Sequence, residues 1–581
     1  YTYDMVGVAI DSSLVAGATF YNDTLNYYGV PFEVIDNWEI GRYITPYGIG
    51  LNLGSQGFRW TWDVTDYQYL LHDSVDFSAG NTQELIDLEF EMIEGTPPRE
   101  QIRHQRPWGP QRSYSYAGLS NDTQLAPVTV DLDPAASQWS VRSRFTGHGH
   151  NSNDGSYPHC CEWKDNTHYL TVNSAPADDW HIFQYNECAL NPVYPQGGTW
   201  PGAREGWCPG DVVKDRWTDI TALVSGSSAT LDYSITPVPA GNLGMGGGNY
   251  VVNMDLFEYG AATYLLDAEI YTVKRPSDED YHRRVNPICH EPLIVLRNAG
   301  AQTLTSATIT YGVSGGVTET YNWSGSLAHM QSAEVTLPTG SGWSWVGDSL
   351  QLFTVTVSAP NGGADQYPDN DSYTTHFDLP AVYAFPMYVN YKTNNRPWEN
   401  SVLIKDLYGT VVYQKNWSSL AANTTYSDTL ELTPGCYTFE MLDTENDGLS
   451  YWADPEAGSG FIRLRKVGGG ILKSFLSEFG RGLHWAFAYD NIVGVEETGL
   501  TIDMMVVPNP GDGYFTLSIP GSHGPAFFEV FNSTGELVLT ERAELTGDTQ
   551  LPIDLRQMNN GLYLVRMTSE RHTATLRIVK H

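Results

Sequence analysis

Short runs in which apolar and polar residues alternate recur along the chain, as in Leu88-Glu89-Phe90-Glu91-Met92-Ile93 and Ala307-Thr308-Ile309-Thr310-Tyr311. A period of two places successive side chains on opposite faces of a strand. Gly, Pro, Asn and Asp punctuate these runs, and helical spacing is nearly absent. The pattern predicts an all-β protein of jelly rolls and sandwiches.

The same punctuation divides the chain into blocks. Residues 1–98 end at the turn Gly95-Thr96-Pro97-Pro98, and residues 99–277 contain a cysteine-rich window. Residues 278–380 and 381–492 each have the length of one β-sandwich. An acidic connector, Val495-Glu496-Glu497-Thr498-Gly499, leads to a final block, 503–581. That block reads as a small β-sandwich, with turn chemistry at Pro508-Asn509-Pro510 and Asn560-Gly561.

Composition narrows the function. The chain has 581 residues, more than one domain holds, and a formal charge of −36. Such a charge repels phosphate backbones and anionic lipid, so nucleic acid and membrane surfaces are poor partners. Aromatic residues make up 13% of the chain, against the poverty of aromatics in acidic disordered chains. No apolar run is long enough for a transmembrane helix. No signal peptide opens the chain, which leaves a cytosolic or an already processed protein.

The six cysteines are Cys160, Cys161, Cys188, Cys208, Cys289 and Cys436. Four of them fall between 160 and 208, which points to disulfides in an oxidising compartment. The alternative is structural zinc, against which stands the lack of a Cys-x-x-Cys pair. Near these cysteines lie Glu162 and Trp163, then Arg204 and Trp207. A carboxylate, an arginine and two tryptophans suit a sugar site, since indoles stack on pyranose faces and charged groups take the hydroxyls. The competing reading is an ordinary ion pair with core tryptophans. His148-x-His150 offers two imidazoles that copper could use, or two solvated side chains. Asp443, Asn446 and Asp447 lie in an oxygen-rich loop that suits structural Ca²⁺, or else caps a hairpin.

Three stretches in order carry a family resemblance: Trp38-Glu39-Ile40-Gly41-Arg42-Tyr43-Ile44-Thr45-Pro46-Tyr47, Cys160-Cys161-Glu162-Trp163, and Arg204-Glu205-Gly206-Trp207-Cys208-Pro209-Gly210. They resemble the bacterial peptide:N-glycosidase F family, over residues 1 to about 275. The resemblance implies two adjacent jelly rolls, 1–98 and 99–277, with a site in the cleft between them. It also implies hydrolysis of the amide joining Asn to the first N-acetylglucosamine of an N-glycoprotein or glycopeptide, with no cofactor required. Glu162 matches the family's chitobiose-contacting Glu, and Arg204 and Trp207 match its cleft-lining motif. Trp163 and His150 join the expected substrate-binding set. Cys188 and Cys208 match a family disulfide, whereas Lys164 stands where a further family cysteine would be. The family's principal catalytic Asp has no counterpart after Tyr1, so a preceding segment is expected to carry it. Asp76, in Ser74-Val75-Asp76-Phe77-Ser78, matches a second family carboxylate.

The remaining resemblances concern the later blocks. The stretch from Cys289 to Gly300 resembles the opening of an immunoglobulin-like module of secreted Bacteroidetes proteins. Residues 503–581 resemble the C-terminal sorting domain of the type IX secretion system. This implies Sec export, passage through the outer membrane, and the secretion machinery as a partner. A glycan-binding or adhesin-like surface protein on the same scaffold is the alternative to the amidase, and a type II copper monooxygenase is a distant third.

Overall fold

The computed structural model describes residues 2–12, 37–48, 51–54, 57–80, 85–149, 160–237, 247–347, 350–490, 504–533, 535–569 and 573–581. It is nearly all β. Two compact units, Tyr1–Asp490 and Asn491–His581, make up the chain.

Among the described residues before 98, the only strands are Thr2–Tyr3 (β1) and Ala9–Asp11 (β2), paired with each other. The first jelly roll expected there is not formed by the described residues. The alternating run 88–93 forms no strand and no pairing, and Leu88, Phe90, Met92 and Ile93 are exposed. Alternation yields a strand only where a neighbour completes the hydrogen-bond ladder, and no described strand does so here.

The next block, in the place of the second expected jelly roll, is built of two antiparallel sheets. Its strands are Arg99–Gln105 (β3), Arg112–Ser115 (β4), Val128–Asp131 (β5), Gln138–His148 (β6), Thr167–Val172 (β7) and Ala175–His181 (β8). Phe183–Gln184 (β9), Arg204–Glu205 (β10), Arg216–Asp219 (β11), Ser228–Ile235 (β12) and Asn249–Ala262 (β13) follow. One sheet runs β11-β6-β13-β3 with β4 also on β13, and the other runs β5-β12-β7-β8. Ala229, Leu231, Tyr233 and Ile235 alternate inward along β12 and meet Val141, Phe145, Tyr250 and Val252 of the opposite sheet in one core. The short pair β9–β10 stands apart from both sheets and carries Arg204.

Two sandwiches follow. The first has a three-stranded sheet, Ala268–Arg275, Leu293–Asn298 and Ser332–Thr336, and a four-stranded one. Its opening strand lies inside the segment expected to close the preceding block. The second has five- and four-stranded sheets around Val389, Ile404, Phe439 and Phe487. A Cys289–Cys436 disulfide ties the two sandwiches together.

Arg284 ties the second sandwich to the jelly roll. Its Nη2 donates to the carbonyls of Ala189 and Gly482, each at 3.0 Å, and to that of Phe479. Its Nη1 donates to the carbonyl of Asn191. Its guanidinium lies 3.7 Å from the Tyr194 ring centroid, and burial lowers its pKa to about 10.

The C-terminal unit contains one five-stranded sheet. Its long strand Tyr514–Asn532 buries Phe515, Leu517 and Ile519, then Ala526, Phe528 and Val530, in a single core. The inward positions change from odd to even across a register shift between Ile519 and Ser522. Such a shift lets both halves of one strand face the same core. No helix among the described residues is long and apolar enough to cross a membrane.

Candidate functional site

Three backbone segments converge at the end of β6. The amides of Cys161 and Glu162 both donate to the Gly149 carbonyl, each at 3.0 Å, and the Glu205 amide donates to the Glu162 carbonyl at 2.9 Å. This approach needs glycine at 147, where a Cβ would lie 2.5 Å from the Cys161 carbonyl oxygen. Cys160 and Cys161 are joined to each other by a disulfide and buried in the jelly-roll core. Cys188 and Cys208 are also joined, as the resemblance implied.

Arg204 stands at the centre of this convergence with its side chain fully covered, while the Glu162 side chain is 17% exposed. Glu162 Oε1 lies 3.6 Å from Arg204 Nε. Nη1 donates to the Gly202 carbonyl at 2.8 Å, and Nη2 donates to Thr199 O at 2.8 Å and Thr199 Oγ1 at 2.9 Å. The guanidinium also lies 4.6 Å from the Trp163 ring centroid and 4.9 Å from that of Trp207. Burial lowers the Arg204 pKa, but a guanidinium stays charged at any working pH. A fixed cation therefore stands behind a carboxylate that reaches solvent, with the half-buried Trp163 beside it.

Adjacent residues of a strand point opposite ways, so Glu205 faces the core. It is fully buried. Its Oε1 accepts from Tyr250 OH at 3.0 Å and meets His168 Nε2 at 3.3 Å, while Oε2 has no hydrogen-bond partner. Burial pushes the Glu205 carboxyl well above the carboxylate range and lowers His168 to about 3. Burial thus favours the neutral form of both groups. A carboxyl with a raised native pKa adds stability below its unfolded pKa, and that contribution is lost as pH climbs. Glu205→Gln keeps the shape and removes the titration. The variant should melt about 2–4 °C above the parent at pH 8 and close to it at pH 5, as thermal scans would show. An equal shift at both pH values would mean that Glu205 is not neutral in the fold. Alternation around Arg204 was the available signal for this buried network.

The site therefore gathers Glu162, Trp163, Arg204 and Trp207. Asp76 is exposed, on a stretch without strand pairing. His150 lies outside the described residues. His148 stacks on Trp207 with ring centroids 5.5 Å apart, and its Nε2 meets Thr146 Oγ1 at 2.8 Å. Burial, with Arg42 nearby, lowers His148 to about 4. Among the described residues, His148 belongs to no group of three possible metal donors.

One such group does occur, in the second sandwich: Glu399, Asp443 and Asp447. Asn446, expected with the two aspartates, turns away. Its Nδ2 donates to Asn186 Oδ1 at 3.2 Å, and its Oδ1 accepts from Arg481 Nη1 at 3.1 Å. Glu399 takes its place, brought in by the ladder in which Asn400 pairs with Asp443. Burial and the neighbouring carboxylates raise Asp443 to about 8 and Glu399 to about 7.

The same sandwich braces the loop behind Arg204. Tyr451 OH and Trp452 Nε1 donate to the Gly198 carbonyl at 3.2 and 2.9 Å. Trp200 Nε1 donates to Glu478 Oε1 at 3.0 Å.

Residues 115–254 match the family described as peptide-N-glycosidase F, C terminal. Residues 505–581 match the secretion system C-terminal sorting domain. Over 219 residues the chain is 27% identical to the peptide-N(4)-(N-acetyl-beta-D-glucosaminyl)asparagine amidase F of Elizabethkingia miricola, covering 34% of this chain and 57% of that one. The chain thus spans less than two thirds of that relative. Among solved structures, a peptide-N(4)-(N-acetyl-beta-D-glucosaminyl)asparagine amidase overlays with a TM-score of 0.21 and 24% identity, covering 23% of this chain and 43% of the other. PNGase F, a glycosylasparaginase from Flavobacterium meningosepticum, gives 0.20 and 24%, covering 23% and 42%. The chain therefore holds a glycanase-type C-terminal domain and a sorting domain that marks it for export by type IX secretion.

Proposed function

We propose that this protein is a secreted amidase that hydrolyses the Asn–N-acetylglucosamine bond of N-glycoproteins or glycopeptides. The observation that carries the reading is the solvent-reaching Glu162 carboxylate backed by the covered Arg204 guanidinium, within a domain that matches the glycanase model. Hydrolysis adds water across the amide carbonyl, passes through a tetrahedral oxyanion, and yields Asp with release of the aminosugar. Glu162 takes sugar hydroxyls and aligns the bond, while Trp163 offers an apolar face to the pyranose. Arg204 has no exposed surface, so it positions Glu162 and the Thr199–Gly202 turn and leaves substrate contact to its neighbours.

The test is glycan release from a denatured glycopeptide, with the gain of about one dalton that turns Asn into Asp read by mass spectrometry. Glu162→Gln should cut release about 10²-fold while leaving the melting temperature within about 1 °C of the parent, because shape survives and charge does not. Loss of folding would instead make Glu162 a structural member of the ion pair.

A second reading rests on Asp76, whose exposed position leaves Glu162 as the carboxylate of the described site. In it the domain binds N-glycans without cleaving them. Glycan-array binding without release would favour this reading.

A further inference from the structure

We propose that Glu399, Asp443 and Asp447 form a calcium site that holds the 443–452 loop of the second sandwich against the loop behind Arg204. Carboxylate oxygens of the three lie within 4.8 Å of one another. The residues are 6%, 0% and 8% exposed, in that order. Each keeps one buried oxygen with no hydrogen-bond partner: Glu399 Oε2, Asp443 Oδ2 and Asp447 Oδ1. Buried polar atoms are nearly always paired in folded proteins, and charged ones are costly when they are not.

A fourth oxygen adds an independent observation. Asn400 lies opposite Asp443 in the ladder, is 2% exposed, and its Oδ1 also lacks a partner. The guanidinium of Arg396 is already engaged. Arg396 Nη1 lies 2.6 Å from Asp454, but 3.9 Å from Glu399 and 4.0 Å from Asp447.

An all-oxygen donor set with three formal charges suits a hard divalent cation. Calcium tolerates irregular sets of 6–8 oxygens, including carbonyls, whereas magnesium demands a near-ideal octahedron and keeps its waters. The loop between the aspartates is tightly folded. Asp443 Oδ1 accepts from the amides of Glu445 and Asp447 at 3.0 and 3.2 Å. Gly448 adopts φ +71°, and a Cβ there would lie 2.5 Å from the Ser477 carbonyl. Beyond it come Tyr451 and Trp452, both bonded to Gly198. A cation at Asp443 and Asp447 thus steadies the start of a segment whose far end grips the Arg204 loop.

The test uses the full chain, stripped with chelator and then titrated with calcium. One calcium per chain should be retained after gel filtration, and the melting temperature should rise by several degrees. Asp443→Asn and Glu399→Gln should each weaken calcium binding about 10²-fold. Terbium luminescence, with calcium as competitor, gives an affinity for the parent chain that needs no variant. If the variants do not fold, calcium-dependent protection of 443–452 from hydrogen exchange in the parent decides the matter. Sub-stoichiometric calcium with unchanged melting, unchanged exchange in 443–452, variants that bind calcium as tightly as the parent, or tighter binding of magnesium would each overturn the proposal. None of these readouts depends on glycan release, so the site stands or falls apart from the amidase reading.

Discussion

Arg204→Ala should lower the stability of the jelly roll by about 3–5 kcal/mol and, in the same variant, remove measurable glycan release. The side chain is fully covered and donates to Gly202 O, Thr199 O and Thr199 Oγ1. Alanine removes the donor from the half-buried Gly202 carbonyl, while the exposed Thr199 acceptors turn to water, so most of the cost comes from emptying the covered side-chain volume. The cavity also lies between Trp163 and Trp207, whose faces the guanidinium holds apart. Glu162 then loses the cation 3.6 Å from its carboxylate. Arg204→Lys separates charge from shape: an ammonium is a point charge and cannot fork to two acceptor groups. Lysine should therefore fold better than alanine yet recover little activity. Thermal unfolding followed by tryptophan fluorescence, with release assayed on the same samples, reads both effects. A melting temperature within about 1 °C of the parent would show that the fork contributes little to the fold.

The second large effect belongs to the Cys289–Cys436 bridge. It closes a loop with a sequence separation of 147, which chain-entropy arithmetic values at about 5 kcal/mol. Cys188–Cys208 closes one of 20, worth about 3 kcal/mol on the same scale. Cys289 is fully buried, and its carbonyl accepts from Thr438 Oγ1 at 3.2 Å. The double variant Cys289→Ser, Cys436→Ser should thus lower the unfolding midpoint of the two sandwiches more than Cys188→Ser, Cys208→Ser lowers that of the jelly roll. Calorimetry on both double variants makes the comparison. The reverse order would mean that native packing, not the unfolded chain, sets what these bridges contribute.

The β character of the chain was legible because alternation is a local property. Ala307, Ile309 and Tyr311 alternate inward as their sequence says. The run 88–93 carries the same signal and makes no ladder among the described residues, because pairing depends on a neighbour that the run itself does not encode. The candidate site divides along the same line. Glu162, Trp163, Arg204 and Trp207 lie in short motifs and were found together. Glu399 lies far from Asp443 in sequence and meets it only through cross-strand register. Glu205 was hidden by its own neighbour: a glutamate beside an arginine reads as an exposed ion pair until the strand turns it inward.

Arg284 has a consequence for anyone who would cut this chain into parts. The sequence looks like beads on a string, and the blocks invite truncation after the jelly roll or exchange of the second sandwich for a foreign one. The four carbonyls that Arg284 holds come from both sides of that cut: Ala189 and Asn191 from one, Phe479 and Gly482 from the other. A chain ended between the sandwiches would keep the guanidinium and lose half its acceptors, and would open Trp200 to water at the back of the Arg204 loop. The smallest portable unit is therefore not the region that aligns with relatives. It extends to Asp490, and expression of anything shorter trades the rigidity of the Thr199–Gly202 turn for a tidier boundary.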